Sequence, residues 1–246
     1  MIRIVTLNIW KDEGDWPARM DAIAEGLSAL QPDIVCLQEV YTGGGRAAAP
    51  LLAAATGLHV TEVAARHKAR GGVPSSSGLA ILSRTPALHS LSIGVPTTPE
   101  DGGRKALAAD FATPLGQLRV VSLHLSHLRG GGAGALRAAQ LAALVAAAAC
   151  DGPLVLAGDF NARWEAPELA LLTAPEWAST APLLAGASSR IGLAGALPDV
   201  LIDHVVLRAG AARIGLRAAR IVLDQPGRAG VLPSDHAGVL AELALI

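Results

Sequence analysis

Aromatic residues and cysteines are scarce in this sequence. Of its 246 residues, 3% are Phe, Trp or Tyr while 51% are hydrophobic, so the core must be built mainly from aliphatic side chains. Cys36 and Cys150 both lie in apolar stretches and do not have the spacing of metal ligands. They are typical of small core residues in a reducing compartment rather than of a disulfide or a reactive thiol.

An excess of charge of either sign is also missing. The chain has 20 Lys and Arg and 21 Asp and Glu, which gives a net charge of −1. The overall field therefore favours neither nucleic acid nor an anionic membrane surface, and binding of a polyanion would depend on a local patch.

Long apolar runs are absent as well. The longest, Leu141 to Cys150, is too short to span a bilayer, and residues 1–5 predict a strand rather than a signal peptide. We therefore expect a cytoplasmic protein without a transmembrane segment. Because no linker rich in Pro, Gly or Ser separates two halves, we also expect one domain over residues 1–246. We further expect the protein to be a monomer.

What the sequence does contain is a series of apolar strands with polar residues at one end. The apolar run 154–157 leads through Gly158 to Asp159 and Asn161, and alternation along an extended backbone points both polar side chains to one side. Similar strand ends carry the residues Asn8, Glu39, His124 and Asp203, and a final strand is preceded by Asp235 and His236. Together these groups supply a metal carboxylate, a base, amide donors and imidazoles, which hydrolysis of a phosphate ester requires.

Basic residues are concentrated in one stretch. Arg66, Lys68 and Arg70 precede a run of serines, and Arg104 follows later in the chain. The stretch 66–78 is predicted to be a loop, and either a solvated flexible loop or a contact with a substrate phosphate would explain its composition.

Taken in order, these motifs resemble those of the endonuclease/exonuclease/phosphatase superfamily. The matching segments, spread from about Arg3 to Leu243, are Thr6–Asn8, Leu37–Glu39, Gly78–Arg84, Arg104–Leu107, Ser122–Leu125, Gly158–Asn161, Ile202–His204 and Ser234–His236. An ordered set of this kind is specific, whereas each motif alone is weak. The resemblance implies an α/β fold, a four-layered αββα sandwich of two mainly antiparallel sheets flanked by helices. It also implies divalent-metal-dependent cleavage of phosphate esters.

The resemblance further implies a metal site. Glu39 would be the principal ligand of Mg²⁺, for which Mn²⁺ could substitute, because a hard cation prefers oxygen donors. Asn8 would lie beside the metal, and Asp235 would help to hold it. Several nucleases of the superfamily carry a second acidic ligand two residues after the first-strand Asn. Trp10 occupies that position here, so a second metal-binding carboxylate is in doubt.

The remaining motif residues would act on the water and the phosphate. Asp159 would orient and deprotonate the attacking water, and Asn161 would donate hydrogen bonds to it or to the phosphoryl oxygens. His236 would contact the phosphate, with Asp203 fixing its tautomer. His124 would face the phosphate or the leaving group. For the neighbouring His204 a structural role is expected.

Composition favours a small substrate. Nucleases of the superfamily usually add basic or aromatic insertions that grip DNA, and here aromatics are few and charge is balanced. The sequence thus predicts a phosphodiesterase or phosphatase for a small phosphate ester, including a lipid or nucleotide headgroup. The alternatives are an endonuclease or exonuclease, including an abasic-site enzyme, and a non-catalytic binding module on the same fold.

Overall fold

The computed structural model of the chain describes residues 1–70, 72–191 and 200–246. The α-helices and β-strands within these residues are, in chain order, β1 (Ile2–Asn8), α1 (Trp16–Leu30), β2 (Ile34–Gly43), β3 (Arg46–Ala47), α2 (Ala48–Thr56), β4 (His59–Arg70), β5 (Val73–Ser83), β6 (His89–Gly94), β7 (Lys105–Thr113), β8 (Gly116–His124), α3 (Ala133–Ala147), β9 (Leu154–Asp159), β10 (Trp177–Ser179), β11 (Asp203–Arg208), β12 (Ile214–Val222) and β13 (Gly238–Leu245). Short 3-10 helices cover Pro167–Thr173 and Ala181–Leu184.

The described strands form two sheets. The first has the order β12-β13-β1-β2-β5-β4, with β3 paired to β2, and the second has the order β10-β11-β9-β8-β7-β6. Most neighbouring strands are antiparallel, but β1 pairs with β2 and β8 with β9 in parallel. Each parallel pair is joined through a helix, α1 in the first sheet and α3 in the second. Parallel neighbours require such a crossover connection.

Three hydrophobic clusters among the described residues define four layers. One lies between the sheets and joins, for example, Ile4 and Ile81 of the first sheet to Phe111 and Val155 of the second. A second cluster packs α1 and α2 on the outer face of the first sheet, and a third packs α3 on the outer face of the second. The expected αββα sandwich is thereby confirmed.

The central strands read as continuous apolar runs because both of their faces are covered. In β1, Ile2 and Ile4 enter the cluster between the sheets, while Val5 and Leu7 enter the cluster beneath the helices. Alternation with a period of two divides the strand between two cores.

The segment Arg66–Gly78, predicted as a loop, is instead a β-hairpin. β4 continues to Arg70, and β5 begins at Val73 and pairs with both β4 and β2. The prediction was wrong because the serines and basic residues lack apolar alternation. β4 ends the sheet order, and basic residues are common on such edge strands, where they discourage pairing with another chain.

Two expectations about single features can be compared directly with the structure. Cys36 is buried and Cys150 half-buried, and both are free thiols, in agreement with their prediction as packing residues. In the part of the chain that the structure describes, every helix is too short or too polar to cross a membrane.

Candidate active site

Four of the predicted site residues lie near the carboxyl ends of the two parallel strand pairs. Asn8 ends β1, Glu39 lies in the last part of β2, and His124 and Asp159 end β8 and β9 as register partners. Parallel strands bring their carboxyl ends to the same edge of a sheet. The topology therefore gathers residues that are far apart in the sequence.

Asp159 lies at the centre of this group and is buried, with 2% of its surface exposed. Its Oδ2 atom accepts a hydrogen bond from Asn8 Nδ2 at 3.1 Å. The same oxygen lies 3.5 Å from His124 Nε2 and 3.9 Å from His236 Nε2. The carboxylate thus has two imidazoles and one amide within reach.

Asn161 fixes the other oxygen of that carboxylate. Its backbone N–H donates to Asp159 Oδ1 at 2.8 Å, and its side-chain Nδ2 donates to the Leu125 carbonyl at 3.1 Å. The φ angle of Asn161 is 51°, in the left-handed region that Asn tolerates better than most residues. This turn explains why Asn follows Asp two positions later.

His236 and Asp203 form a buried pair. His236 Nδ1 donates to Asp203 Oδ2 at 2.8 Å, which leaves Nε2 facing Asp159. Burial alone would lower the pKa of His236, but Asp203, with Asp159 and Asp235, raises it to about 9. The ring therefore carries a positive charge at neutral pH.

The pKa values of Asp159 and His124, which lie beside this pair, are shifted in opposite directions. Burial, reinforced by the charge of Asp203, raises the pKa of Asp159 against the opposing effects of His236, Asn161 and Asn8. Burial and the nearby cation of Arg104 lower the pKa of His124 well below its usual value. A carboxylate with a raised pKa is a stronger base, and a neutral imidazole can still donate one proton in a hydrogen bond.

Glu39 lies on a β-bulge. The register of β2 with β5 shifts between Gln38 and Val40, and the φ angle of Glu39 is 57°. Such a bulge takes a side chain out of the regular alternation and is common beside active sites. Glu39 lines a small cavity together with His124, and its Oε1 lies 3.0 Å from Lys11 Nζ.

The residues at this point fit a hard divalent cation. Glu39 is a partly exposed carboxylate that already attracts the ammonium group of Lys11. Ser234 Oγ donates to the Asn8 carbonyl at 2.6 Å, which brings the segment of Asp235 beside Asn8. Carboxylate and amide oxygens are the donors that Mg²⁺ prefers, so these residues could hold it.

A second group of possible ligands consists of Asp159, Asp203 and His236, whose ligand atoms lie within 4.8 Å of one another. Their hydrogen bonding argues against a metal here. His236 Nδ1 and Asp203 Oδ2 are already paired with each other at 2.8 Å. Because a ligating atom must be free of its proton, this pairing favours Glu39 over the buried group as a candidate position for a metal ion.

The four basic residues that the sequence predicts as substrate contacts lie in different surroundings. Arg66 lines the cavity of Glu39 and His124, and Arg66 and Lys68 line an adjoining one. The side chain of Arg70 lies outside the described residues. Arg104 also lines the Glu39 cavity, but its Nε donates to Asp101 at 3.0 Å and its Nη1 to the His124 carbonyl at 3.3 Å. Arg104 therefore also supports His124.

Sequence reasoning missed Arg190. Its Nη1 lies 3.1 Å from His236 Nε2, and its Nη2 lies 3.6 Å from Asp235 Oδ2. An isolated bridge pairs the backbone of Arg190 with that of His236. Because the surrounding segment shows no periodicity, no pattern in the sequence could have indicated this contact.

Arg19 was also missed, although the sequence holds a signal for it. This buried residue on the apolar face of α1 donates to carbonyls of the loop after β1 and of Pro233; the acceptors are Ile9 at 2.7 Å, Trp10 at 3.3 Å, Lys11 at 3.0 Å, Glu13 at 3.0 Å and Pro233 at 3.2 Å. A charged residue among the buried positions of a helix needs such partners. Arg19 thereby ties the loop of Lys11 to the loop of His236.

The protein is an αββα sandwich. Its two mixed sheets pack face to face between helices, and polar residues lie together at the ends of the parallel strands. The chain belongs to the Endonuclease/Exonuclease/phosphatase family, whose model matches residues 5–236. The family expected from the motifs is thereby confirmed. Comparison with curated proteins gives no match.

Solved structures of the same fold include proteins from several organisms. An endonuclease/exonuclease/phosphatase from Beutenbergia cavernae is 22% identical with a TM-score of 0.81, covering 99% of this chain and 71% of its own. The human Nocturnin catalytic domain with bound sulfate is 21% identical, with a TM-score of 0.76 and coverage of 100% and 94%. TDP2 from D. rerio, complexed with a single-strand DNA product, is 19% identical, with a TM-score of 0.74 and coverage of 99% and 98%.

Proposed function

We propose that this protein hydrolyses phosphate esters with the help of a divalent metal ion, and that its substrate is a small phosphodiester or phosphomonoester, including a lipid or nucleotide headgroup. The environment of Asp159 carries this proposal. This carboxylate is buried, both of its oxygens accept hydrogen bonds from asparagines, and its pKa is raised. That combination is expected of a positioned general base.

In the proposed reaction, Asp159 accepts a proton from the water that attacks phosphorus while the bond to the leaving oxygen breaks. Asn8 and Asn161 hold the carboxylate in place. The imidazolium of His236, supported by Asp203, donates to a phosphoryl oxygen, and neutral His124 donates to the phosphate or the leaving group. Donors that face the developing negative charge stabilise the transition state.

The metal ion would be Mg²⁺, with Mn²⁺ as a substitute, held by Glu39 together with Asn8 and Asp235. When bound, it would neutralise charge on the phosphate. The Lys11 ammonium, 3.0 Å from Glu39, supplies a positive charge at the same place. We assign Lys11 to binding of the substrate phosphate.

A panel of substrates tests this function. Bis-p-nitrophenyl phosphate, p-nitrophenyl phosphate, sphingomyelin and abasic DNA are incubated with Mg²⁺, Mn²⁺ or a chelator. We expect metal-dependent hydrolysis of one of the first three, and abolition of that activity by the chelator. Activity that survives chelation contradicts the metal assignment. Absence of turnover together with absence of Mg²⁺ and Mn²⁺ binding favours a non-catalytic binding module.

A nuclease is the second candidate. Arg66 and Lys68 on the β4–β5 hairpin line cavities next to Glu39, where they could contact a nucleic acid backbone. A gel shift with duplex DNA at increasing salt separates the two functions, because binding through phosphates weakens steeply as salt rises. Salt-sensitive binding together with cleavage of abasic DNA would favour the nuclease.

Three further properties are proposed from the sequence. We propose that residues 1–246 form one domain, and the hydrophobic cluster shared by both sheets supports this. A monomeric state and a cytoplasmic location remain predictions. Sedimentation of the purified protein and microscopy of a tagged chain would test them.

A further inference from the structure

Asp101 is an acidic residue that lies fully inside the protein. It is completely buried, although it belongs to the loop between β6 and β7, and loops normally run over the surface. A buried carboxylate needs hydrogen-bond donors on both of its oxygens. Among the described residues, the side chains of Arg104, Ser126 and Gln140 donate to it. All three of these contacts lead to the segment that follows β8.

One oxygen of Asp101 holds Arg104, a buried residue with 7% of its surface exposed. Arg104 Nε donates to Asp101 Oδ1 at 3.0 Å. The other guanidinium nitrogens donate to the segment after β8, Nη1 to the His124 carbonyl at 3.3 Å and Nη2 to His127 Nδ1 at 2.6 Å. Because a guanidinium can only donate, His127 Nδ1 is the acceptor. Through one guanidinium, Asp101 therefore orients the backbone of His124 and the ring of His127.

The other contacts of Asp101 hold the same segment at Ser126. Ser126 Oγ donates to Asp101 Oδ1 at 2.9 Å, and Gln140 Nε2 donates to Asp101 Oδ2 at 2.9 Å. Gln140 belongs to α3, and its Oε1 accepts from the Ser126 N–H at 2.8 Å. Ser126 and Gln140 are both fully buried. The backbone and the side chain of Ser126 are thus both tied to one carboxylate.

The segment held in this way contacts the proposed base. The Leu125 N–H donates to the backbone carbonyl of Asp159 at 2.9 Å, and the Leu125 carbonyl accepts from Asn161 Nδ2 at 3.1 Å. His124, at the start of the segment, lies 3.5 Å from the Asp159 carboxylate. A shift of the segment would therefore move His124 relative to Asp159. A displacement of about 1 Å in an active site can lower the rate by roughly 10²-fold.

We propose that Asp101 is a positioning residue for the reaction. Asp101 is enclosed by protein and does not touch the substrate. It holds Arg104 and Ser126, and these keep His124 where its imidazole can donate to the phosphate or the leaving group. The inference rests on the proposed function and adds to it a residue that lies outside the motifs seen in the sequence.

The substitution Asp101→Asn tests this role, because an amide cannot replace the carboxylate. In either orientation, the NH₂ group of asparagine would face an N–H group of Arg104 or of Gln140. Gln140 cannot turn over without losing its hydrogen bonds to the Ser126 N–H and to the Pro96 carbonyl. We expect kcat to fall by about tenfold or more while KM stays close to the wild-type value. The measurement is steady-state hydrolysis of the best substrate from the panel.

The matched control is Asp110→Asn. Asp110 is also buried, and its carboxylate accepts from Arg119 at 2.7 Å and 2.8 Å. This pair joins β7 to β8 near the start of β8, at the opposite end of that strand from His124. Asp110→Asn should lower stability and leave kcat unchanged. Equal losses of kcat in the two variants, or wild-type kcat in Asp101→Asn, would overturn the inference.

The variant Arg104→Lys covers the case in which Asp101→Asn does not fold. Lysine keeps a positive charge beside Asp101, but its single nitrogen cannot bind Asp101, the His124 carbonyl and His127 as the guanidinium does. We expect kcat to fall by about tenfold or more in this variant as well. Wild-type kcat in Arg104→Lys would also overturn the inference.

Amide hydrogen exchange tests the positioning without turnover. Exchange of the Ser126 N–H is followed by NMR in Asp101→Asn and Asp110→Asn, or in Arg104→Lys if the first variant does not fold. We expect exchange to be about tenfold faster or more in the variant at Asp101 or Arg104 than in the control. Equal exchange rates would contradict the inference. If the wild type hydrolyses no substrate but exchange accelerates as expected, the proposed function fails and the positioning of this segment by Asp101 stands.

Discussion

Four residues near the candidate site adopt left-handed backbone conformations, although none is glycine. The φ angles are 55° for Trp10, 46° for Lys11, 57° for Glu39 and 51° for Asn161. Each such residue costs on the order of 1 kcal/mol and persists where its surroundings hold it. Here the carbonyls of Trp10 and Lys11 are held by Arg19. Local strain is therefore concentrated where the proposed metal and phosphate contacts lie.

The substitution Asp159→Asn tests the proposed base directly. Asparagine keeps the size of the side chain but cannot accept a proton from water, so we expect kcat to fall by roughly 10²-fold or more. The measurement is steady-state hydrolysis of the best substrate from the panel. The matched control is Asp151→Asn, because Asp151 is exposed, and it should retain wild-type activity. Wild-type turnover by Asp159→Asn would refute the assignment.

His204 should make the stability of the protein depend on pH. Its Nε2 donates to the Ala162 carbonyl at 3.1 Å, while Nδ1 is buried without a partner among the described residues. Burial lowers the pKa of His204 from 6.5 to about 4. The neutral ring therefore stabilises the folded state fully above pH 6.5, and this contribution is lost as the pH falls from 6.5 towards 4, because the unfolded chain binds the proton more readily.

Urea unfolding of the wild type and of His204→Phe between pH 4 and 7 measures this contribution. The variant removes the titrating group and keeps an aromatic ring against Phe160 and Trp164, which contact His204 edge to face. We expect the difference in unfolding free energy between the two proteins to change by about 3 kcal/mol across this range. Parallel pH profiles would show that His204 does not titrate in this way.

Two strands carry glycines where a neighbouring backbone comes too close for any side chain. A Cβ atom at Gly158 of β9 would lie 2.0 Å from the Leu123 carbonyl oxygen, and one at Gly78 of β5 would lie 1.9 Å from that of Val63. Both glycines belong to motifs that suggested the family. Their role is thus to let adjacent strands pair closely beside the site.

Gly158→Ala should therefore destabilise the protein by about 2 kcal/mol or more, since overpacking forces backbone shifts. Gly94→Ala is the matched control on β6, where no described atom lies within 4 Å of the added Cβ. It should leave stability unchanged or raise it slightly, because alanine has less freedom than glycine in the unfolded chain. Chemical denaturation of both variants gives the comparison. Equal stability of the two would contradict the close approach at Gly158.

The strands that carry Asn8, His124 and Asp159 could be predicted because an apolar run that ends in a polar residue is visible in the sequence. The order of the motifs also predicted the layers of the fold. The β4–β5 hairpin could not be predicted, since its residues are polar and its pairing with β2 is a tertiary interaction. The role of Arg190 could not be predicted for the same reason. Its contact with His236 joins residues 46 positions apart, and its own segment shows no periodicity.

The protein as a whole should become more stable when metal binds. Any ligand that binds the folded state alone stabilises it, by about 3 kcal/mol at a hundred times its Kd. We expect Mg²⁺ to raise the unfolding temperature of the wild type relative to a chelator, and Glu39→Gln to lose this shift. Glu62→Gln, at an exposed position of β4, should keep it. An undiminished shift in Glu39→Gln would place the metal elsewhere.

The position of β13 links formation of the candidate site to folding of the whole chain. This strand inserts between β12 and β1, pairing Ile2 with Leu243, and it directly follows His236. Contacts between such distant parts of a chain form slowly during folding. Until β13 is inserted, Asp203 has no hydrogen bond with His236, and the Asn8 carbonyl has no hydrogen bond from Ser234. Under the proposed function, a chain in which β13 is not paired with β1 is therefore inert, and hydrolytic activity requires this long-range pairing.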